Sequence, residues 1–329
     1  MRRSIFWLLD HYPETGESVA SLHRTAIAHA RLADQLGFDT VWLAEHHLST
    51  LGTVPNPAVM LATLAQATSR IRLGPAVAVL PLRNPILIAE DYALVDSLSG
   101  GRLNMGVGTG SRPLEFAGVG VDFEHRREAF DAALAELCRR WRAAAAGEPA
   151  ANSLNVPPVQ TPHPRIHVAT RSDDGAYAAG LAGHGLLTLV APLVVQDLGE
   201  VQTRVASHTR GLADGGHSTN GSESVVVVFA HVGPSEVEAH TVAIPALARL
   251  IRAMTGAEPP DLEERYHEMR ERGLGLFGTR EQVNEQIGRY AAIGVAHLAL
   301  VTRFGGMAAA ASEFSLRGLA PCASRPGRG

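Results

Sequence analysis

The sequence predicts an α/β protein of the (β/α)8 TIM-type barrel class, with insertions between units four and five and after strand seven. Short apolar strands and helical runs alternate along almost all of its 329 residues. The turns between them are short, which argues for parallel strands joined by right-handed crossovers. Eight such units in about 320 residues are what a barrel of this kind needs. The first strand runs into Asp10-His11-Tyr12-Pro13 rather than a glycine fingerprint, so a dinucleotide-binding sheet is not indicated.

Ile5 to Leu9 forms the first strand. Leu22, Ile27, Ala30, Leu32 and Leu36 then recur at helical spacing, and Gly37 stops that helix. Phe38 to Ala44 is the second strand and Ala58 to Thr68 its helix. Ile71 to Val79 is the third strand, with Pro81 and Pro85 before the helix Ile86 to Leu98. Gly100-Gly101-Arg102 turns the chain into the fourth strand, Leu103 to Val107, and His125 to Trp141 is amphipathic. Strands at Ile166 to Ala169, Leu186 to Val190, Ser224 to Val232 and Ala296 to Val301 complete the eight. Helices at Asp173 to Ala182, Leu198 to Leu212, Glu236 onward and Arg280 to Ile293 lie between them. Two stretches break the repeat, Gly147 to Pro164 and Ala253 to Gly275. The second mixes Gly, Pro and charge and is expected to be a mobile lid. The expectation is one barrel domain over residues 1–321 and a loose tail over 322–329.

Lys plus Arg number 29 and Asp plus Glu 33, a formal net charge of −4 that calls for neither nucleic acid nor an anionic membrane surface. The cysteines, Cys138 and Cys322, are too far apart in sequence for a metal-ligand pair and too few for a disulfide framework. No apolar run approaches the roughly 18 residues of a membrane span. A soluble, cytoplasmic protein is expected.

In a barrel, residues at the carboxyl ends of strands converge on one face. Glu45, His46 and His47 follow the second strand there, and a carboxylate with two imidazoles is costly to hold at a core rim without partners. They read as the chemical edge of a site, or else as a satisfied pair bracing the sheet. Adjacent histidines on an extended strand point to opposite faces, and no H-E-x-x-H or C-x-x-C spacing occurs, so no metal is expected. Gly106-Val107-Gly108-Thr109-Gly110 permits close backbone approach to a flat ligand or a phosphate, or makes a plain tight turn. Thr170-Arg171-Ser172 before a helix suits a phosphate, or is an ordinary N-cap followed by Asp173 and Asp174.

Trp42-Leu43-Ala44-Glu45-His46-His47, then Asn56-Pro57, Gly74, Leu80-Pro81, Asn84-Pro85, Ala89-Glu90-Asp91, Asp96, Ser99-Gly100-Gly101-Arg102 and Gly106 to Gly110 form a connected pattern. It continues through Gly120, Arg127, Val168-Ala169 and Ala178-Ala179 to Phe277-Gly278-Thr279. Over about residues 1–305 it resembles the bacterial luciferase-like flavin monooxygenases. The resemblance implies a (β/α)8 barrel using reduced FMN, supplied by a separate flavin reductase, and molecular oxygen. Such an enzyme oxygenates a small organic substrate, here a secondary metabolite by expectation, through a flavin 4a-hydroperoxide. It implies that His46 is catalytic with Glu45 orienting an imidazole, and that the Ala76–Val77 bond is a non-prolyl cis peptide beneath the flavin. Gly108, Thr109 and Gly110 would face the flavin, and Ala169, Thr170, Arg171 and Asp174 would hold its phosphate. Trp7, His11, Leu48, Phe116, His231 and Arg303 are expected to line the substrate pocket, and a homodimer is expected by analogy. Thr109 stands where the luciferase branch has Arg, and Arg171 where it has Ser, so Arg171 is expected to take over the charge. Asp174 replaces a hydroxyl, which unsettles the helix-end contact. The alternatives are a deazaflavin-dependent hydride-transfer oxidoreductase and a non-catalytic flavoprotein or partner subunit.

Overall fold

The computed structural model describes residues 1–149, 151–190, 197–219 and 224–321, so the expected tail lies outside the described residues. Its first half contains β1 (Arg2–Trp7), α1 (Val19–Leu36), β2 (Thr40–Leu43), α2 (Pro57–Ala67), β3 (Arg72–Pro75), β4 (Ala78–Val79), α3 (Pro85–Ser99), β5 (Asn104–Gly108), α4 (Pro113–Val119) and α5 (Arg126–Ala145). Then follow β6 (Arg165–Ala169), α6 (Asp173–Leu181), β7 (Gly185–Val190), α7 (Leu198–Asp214), β8 (Ser224–Val232), α8 (Glu236–Thr255), α9 (Leu262–Arg272), β9 (Gly275–Gly278), α10 (Arg280–Ala292), β10 (His297–Val301) and α11 (Ala309–Gly318).

All pairings are parallel, in the order β3-β2-β1-β10-β8-β7-β6-β5-β4, with β9 added along the far end of β8. β3 and β4 are one barrel strand interrupted at Ala76–Val77. β3 pairs with β2 and bridges from Leu73 to Leu103, while β4 pairs with β5, so the ring meets itself at this break. Strands buried on both faces must be apolar almost throughout. β2 is buried at all four positions and β8 at all nine, which is why Val225 to Val228 can stand in a row.

Local chemistry sets the helix ends. Asn56 and Asn84 accept the N–H groups of Ala58 and Ile86 and are each followed by Pro, whose missing N–H costs nothing in a first turn. Gly37 ends α1 at φ 81°, a backbone setting that L side chains resist. Arg102, beyond the glycine turn after α3, spreads its guanidinium over the carbonyls of Ala65, Thr68 and Ile71, so this part of the motif braces the scaffold.

Several boundaries differ from expectation. β1 begins at Arg2 because Arg2 and Arg3 pair with His297 and Leu298; an apolar pattern does not register charged residues entering a sheet. The third strand is split rather than continuous. The 147–164 insertion is fastened to Asp96, whose Oδ2 accepts the backbone N–H groups of Val159 and Gln160 at 2.8 and 3.0 Å. The stretch expected as a mobile lid holds the end of α8, then α9 and the first residue of β9. Tyr266 and Met269 of α9 are buried, and the Tyr266 ring stacks on Phe277 at 5.4 Å.

Candidate active site

β2 delivers Glu45, His46 and His47 to the carboxyl rim of the barrel. Glu45 is buried and both of its oxygens are used. Oε2 accepts the Val79 N–H at 3.3 Å, tying this loop to β4, and Oε1 meets His47 Nε2 at 3.1 Å. The hydrogen bond that His47 donates to Glu45 raises the His47 pKa, outweighing burial, which lowers it. Glu45 therefore orients His47.

His46 is oriented from elsewhere. Its Nδ1 lies 2.9 Å from Oε1 of Glu115, a buried residue on α4. Burial pushes the Glu115 carboxyl up. The His46 hydrogen bond and charge, the His47 N–H and the Arg112 guanidinium more than offset that and hold it below its ordinary value. An ionised Glu115 accepts a hydrogen bond from Nδ1–H, so in the neutral imidazole His46 Nε2 is left as an acceptor. Nε2 has no hydrogen-bond partner among the described residues, and the side chain is 21% exposed. Gly52 lets the next loop close over this imidazole, since a Cβ there would lie 3.0 Å from His46 Cβ and from the Leu8 carbonyl.

Beside this pair lies a cradle. The Ala76–Val77 bond is cis. Gly108 faces it closely: a Cβ there would lie 2.6 Å from Val77 Cγ2. Gly110, at φ 74°, leaves room for Phe116 and Val79. Ala76 and Val77, with Val168 and Ala169 of β6, are apolar yet only half-buried, an open apolar floor at the rim. Thr170 and Ser172 bond each other, and Ser172 Oγ caps α6 by accepting the Gly175 N–H. Asp174 is exposed in the first turn. Thr109 lines a cleft of about 340 Å³ with Glu124, Arg126, Arg127 and Glu128. Arg126 stacks over Phe123 at 3.7 Å. Arg127 and Arg171 are exposed and carry no ion pair among the described residues.

The expected pocket residues divide. Phe116 is buried against Val79 and Leu82 next to Glu115, and Leu48, 78% exposed, leans on Gly118 of α4. Both belong to the His46 neighbourhood. His11 and Arg303 instead converge on Glu17, through its carbonyl and its carboxylate respectively. Trp7 is buried in the core. His231 bonds Ser315 of α11, and burial lowers its pKa to about 4. Glu115, Arg112 and Arg126 are the residues that sequence reasoning does not reach. An acidic residue shortly after Pro113 reads as an ordinary first-turn residue, and nothing local links it to His46.

The family model described as luciferase-like monooxygenase matches residues 1–297. An uncharacterized protein of Sinorhizobium fredii, y4wF, is 32% identical over 251 residues, covering 74% of this chain and 72% of its own length. Limonene 1,2-monooxygenase of Rhodococcus erythropolis is 30% identical over 277 residues, 78% of this chain and 68% of that protein. Among solved structures, the monooxygenase RslO1 of Streptomyces bottropensis superposes with TM-score 0.86 at 25% identity, covering 97% of this chain and 98% of that one. The fold is shared at lower identity with the oxygenating constituent of 3,6-diketocamphane monooxygenase of Pseudomonas putida, solved with FMN (TM-score 0.77, 17%, 97% of each chain). It is shared too with the coenzyme F420-dependent tetrahydromethanopterin reductase of Methanopyrus kandleri (TM-score 0.71, 18%, 97% of each chain). A barrel with this strand order, this rim and a match over nine-tenths of its length places the chain in the luciferase-like monooxygenase family.

Proposed function

We propose that this protein is a flavin-dependent monooxygenase that takes reduced FMN from a separate reductase and uses molecular oxygen to oxygenate a small, largely apolar substrate. The observation that carries this reading is the His46–Glu115 pair beside the cradle of Val77 and Gly108. Gly108 packs so closely on Val77 that an added Cβ would lie 2.6 Å from Val77 Cγ2, and the flat surface this leaves is our proposed seat for a ring system. Bound there, FMN would supply the oxygen chemistry, and the protein would supply binding, orientation and proton control.

Ala76, Val77, Gly108 and Gly110 would hold the ring, while Thr109, Ala169 and Thr170 bound its approach. Arg171 from the β6 side and Arg127 from the α5 side are available to the phosphate. Asp174 adds repulsion there and is the weakest member of the expected set. Glu115 keeps the proton on His46 Nδ1, so that Nε2 can take a proton from substrate or water and return it. Glu45 holds the loop to β4 and keeps His47 facing it. Leu48, Leu114 and Val119 are exposed apolar side chains on or against α4, which supports an apolar substrate and exclusion of water once it is bound. On the opposite account, hydride transfer from a deazaflavin, the barrel would be the same and oxygen would not be used.

Rapid mixing tests the reading. The protein is loaded anaerobically with reduced FMN and then mixed with oxygenated buffer. Slower reoxidation than in free solution, with a transient absorbance that persists, is the expected result. If reduced FMN does not bind, or reoxidises as in buffer, and coenzyme F420 binds instead, the hydride-transfer account replaces this one.

A further inference from the structure

The α8–α9 pair carries a second cluster of ligating side chains. His240 projects from α8, and Glu263 and His267 from α9. Glu263 and His267 are four residues apart, so they stand on one face of the helix. His240 Nε2 lies 2.6 Å from Glu263 Oε2. The imidazoles of His240 and His267 are nearly parallel, with centroids 6.2 Å apart. One donor atom from each of the three residues lies within 4.8 Å of the other two. The backbone beneath is held in place, because Tyr266 is buried, meets the His240 ring edge-on at 4.9 Å and stacks on Phe277.

From this juxtaposition we propose that His240, Glu263 and His267 form a surface site for a late first-row divalent cation such as zinc, and that the bound ion clamps α9 to α8. Two imidazoles and a carboxylate are a zinc donor set, with ligand distances of about 2.0–2.2 Å. Calcium and magnesium prefer oxygen donors throughout and are disfavoured here. Three protein ligands leave one position for water. The ion replaces the His240–Glu263 hydrogen bond with two coordinate bonds; a neutral His240 shifts its ring proton to Nδ1, and a protonated one releases its extra proton to solvent. Glu263 and His267 are exposed and His240 is half-buried, so changes of rotamer at the two exposed residues can close the remaining gap. The consequence falls on a segment that two buried side chains, Tyr266 and Met269, hold to the barrel.

The test titrates tag-free, metal-stripped protein with zinc chloride in a calorimeter and follows hydrogen exchange over residues 261–273. One zinc per chain and slower exchange in α9 are expected. His240→Ala combined with His267→Ala is expected to weaken binding by at least about tenfold, as loss of groups around a metal does. Glu263→Gln should fall between. Because His240 also packs on Tyr266, His267→Gln is the second variant: its side chain is exposed, and its metal-free melting curve should match wild type. Uptake of no zinc, or unchanged affinity and stoichiometry in both the double variant and His267→Gln, overturns the site. Zinc binding without protection of α9 overturns the clamp.

Discussion

His46 Nδ1 and Glu115 Oε1 are 2.9 Å apart although 69 residues separate them in sequence. One comes from the loop after β2 and the other from α4 after β5, so only the closed barrel brings them together. A buried carboxylate facing one imidazole nitrogen selects the tautomer that leaves the other nitrogen as a base. His46→Ala is therefore expected to slow oxygenation by about 10²–10⁴-fold, the usual contribution of a positioned acid–base group, with little change in flavin affinity. Glu115→Gln should cost about 10–100-fold and alter the pH–rate profile, because it acts through His46. Turnover and flavin titration of both variants decide this; equal loss of rate and affinity in His46→Ala rules out the assigned role.

Gly108 has no room for a side chain. In Gly108→Ala the new methyl would sit 2.6 Å from Val77 Cγ2, and a β-branched neighbour cannot swing aside. The expected costs are weaker FMN binding and about 1–3 kcal/mol of stability from overpacking. Fluorescence titration with FMN and chemical denaturation measure the two separately. Unchanged flavin affinity would remove Gly108 from the cradle.

The phosphate has two available guanidinium groups, Arg171 in the turn after β6 and Arg127 in the first turn of α5. A hydrogen bond to a charged group contributes roughly 1.5–3 kcal/mol, so losing one should weaken FMN binding about 10–150-fold. Arg171→Ala and Arg127→Ala are each expected to do so, with riboflavin binding unaffected. An Arg171→Ala variant that binds FMN as tightly as wild type removes it as the substitute for the charge absent at Thr109.

The Glu45–His47 bond should make stability depend on pH. Its hydrogen bond raises the folded-state pKa of His47 above the ordinary 6.5. A raised histidine pKa means that the folded chain binds the proton more tightly than the unfolded one. The stabilisation is thus fully present below the unfolded pKa and is lost as pH rises through the folded value. The melting temperature of wild type should exceed that of His47→Gln most in mildly acidic buffer, and the difference should shrink toward alkaline pH. A difference that grows with pH would reverse the assignment.

Val59 of α2 and Leu87, Leu94 and Leu98 of α3 are exposed apolar side chains on two adjacent helices. A second copy of the chain covering this face is the homodimer we expect. Leu94→Glu should convert a dimer to monomer in light scattering during size-exclusion chromatography, with the melting curve little changed at low concentration. A wild-type monomer at working concentration excludes the dimer.

The barrel was legible from sequence because parallel strands buried on both faces must be nearly all apolar, and because caps and stops such as Asn84-Pro85 and Gly37 act through atoms a few residues away. The Glu45-His46-His47 rim was legible for a related reason: charge directly after a buried strand has few places to go. Tertiary structure alone decided what each rim residue meets. It gave His46 to Glu115 and His47 to Glu45, set His231 against Ser315, and drew His11 and Arg303 to Glu17. It also turned much of an apparent loop into α9 by burying Tyr266 against Phe277. Such pairings join residues tens to hundreds of positions apart. Their energy comes from desolvated contacts that exist only once the ring of strands has closed, so no local pattern carries them.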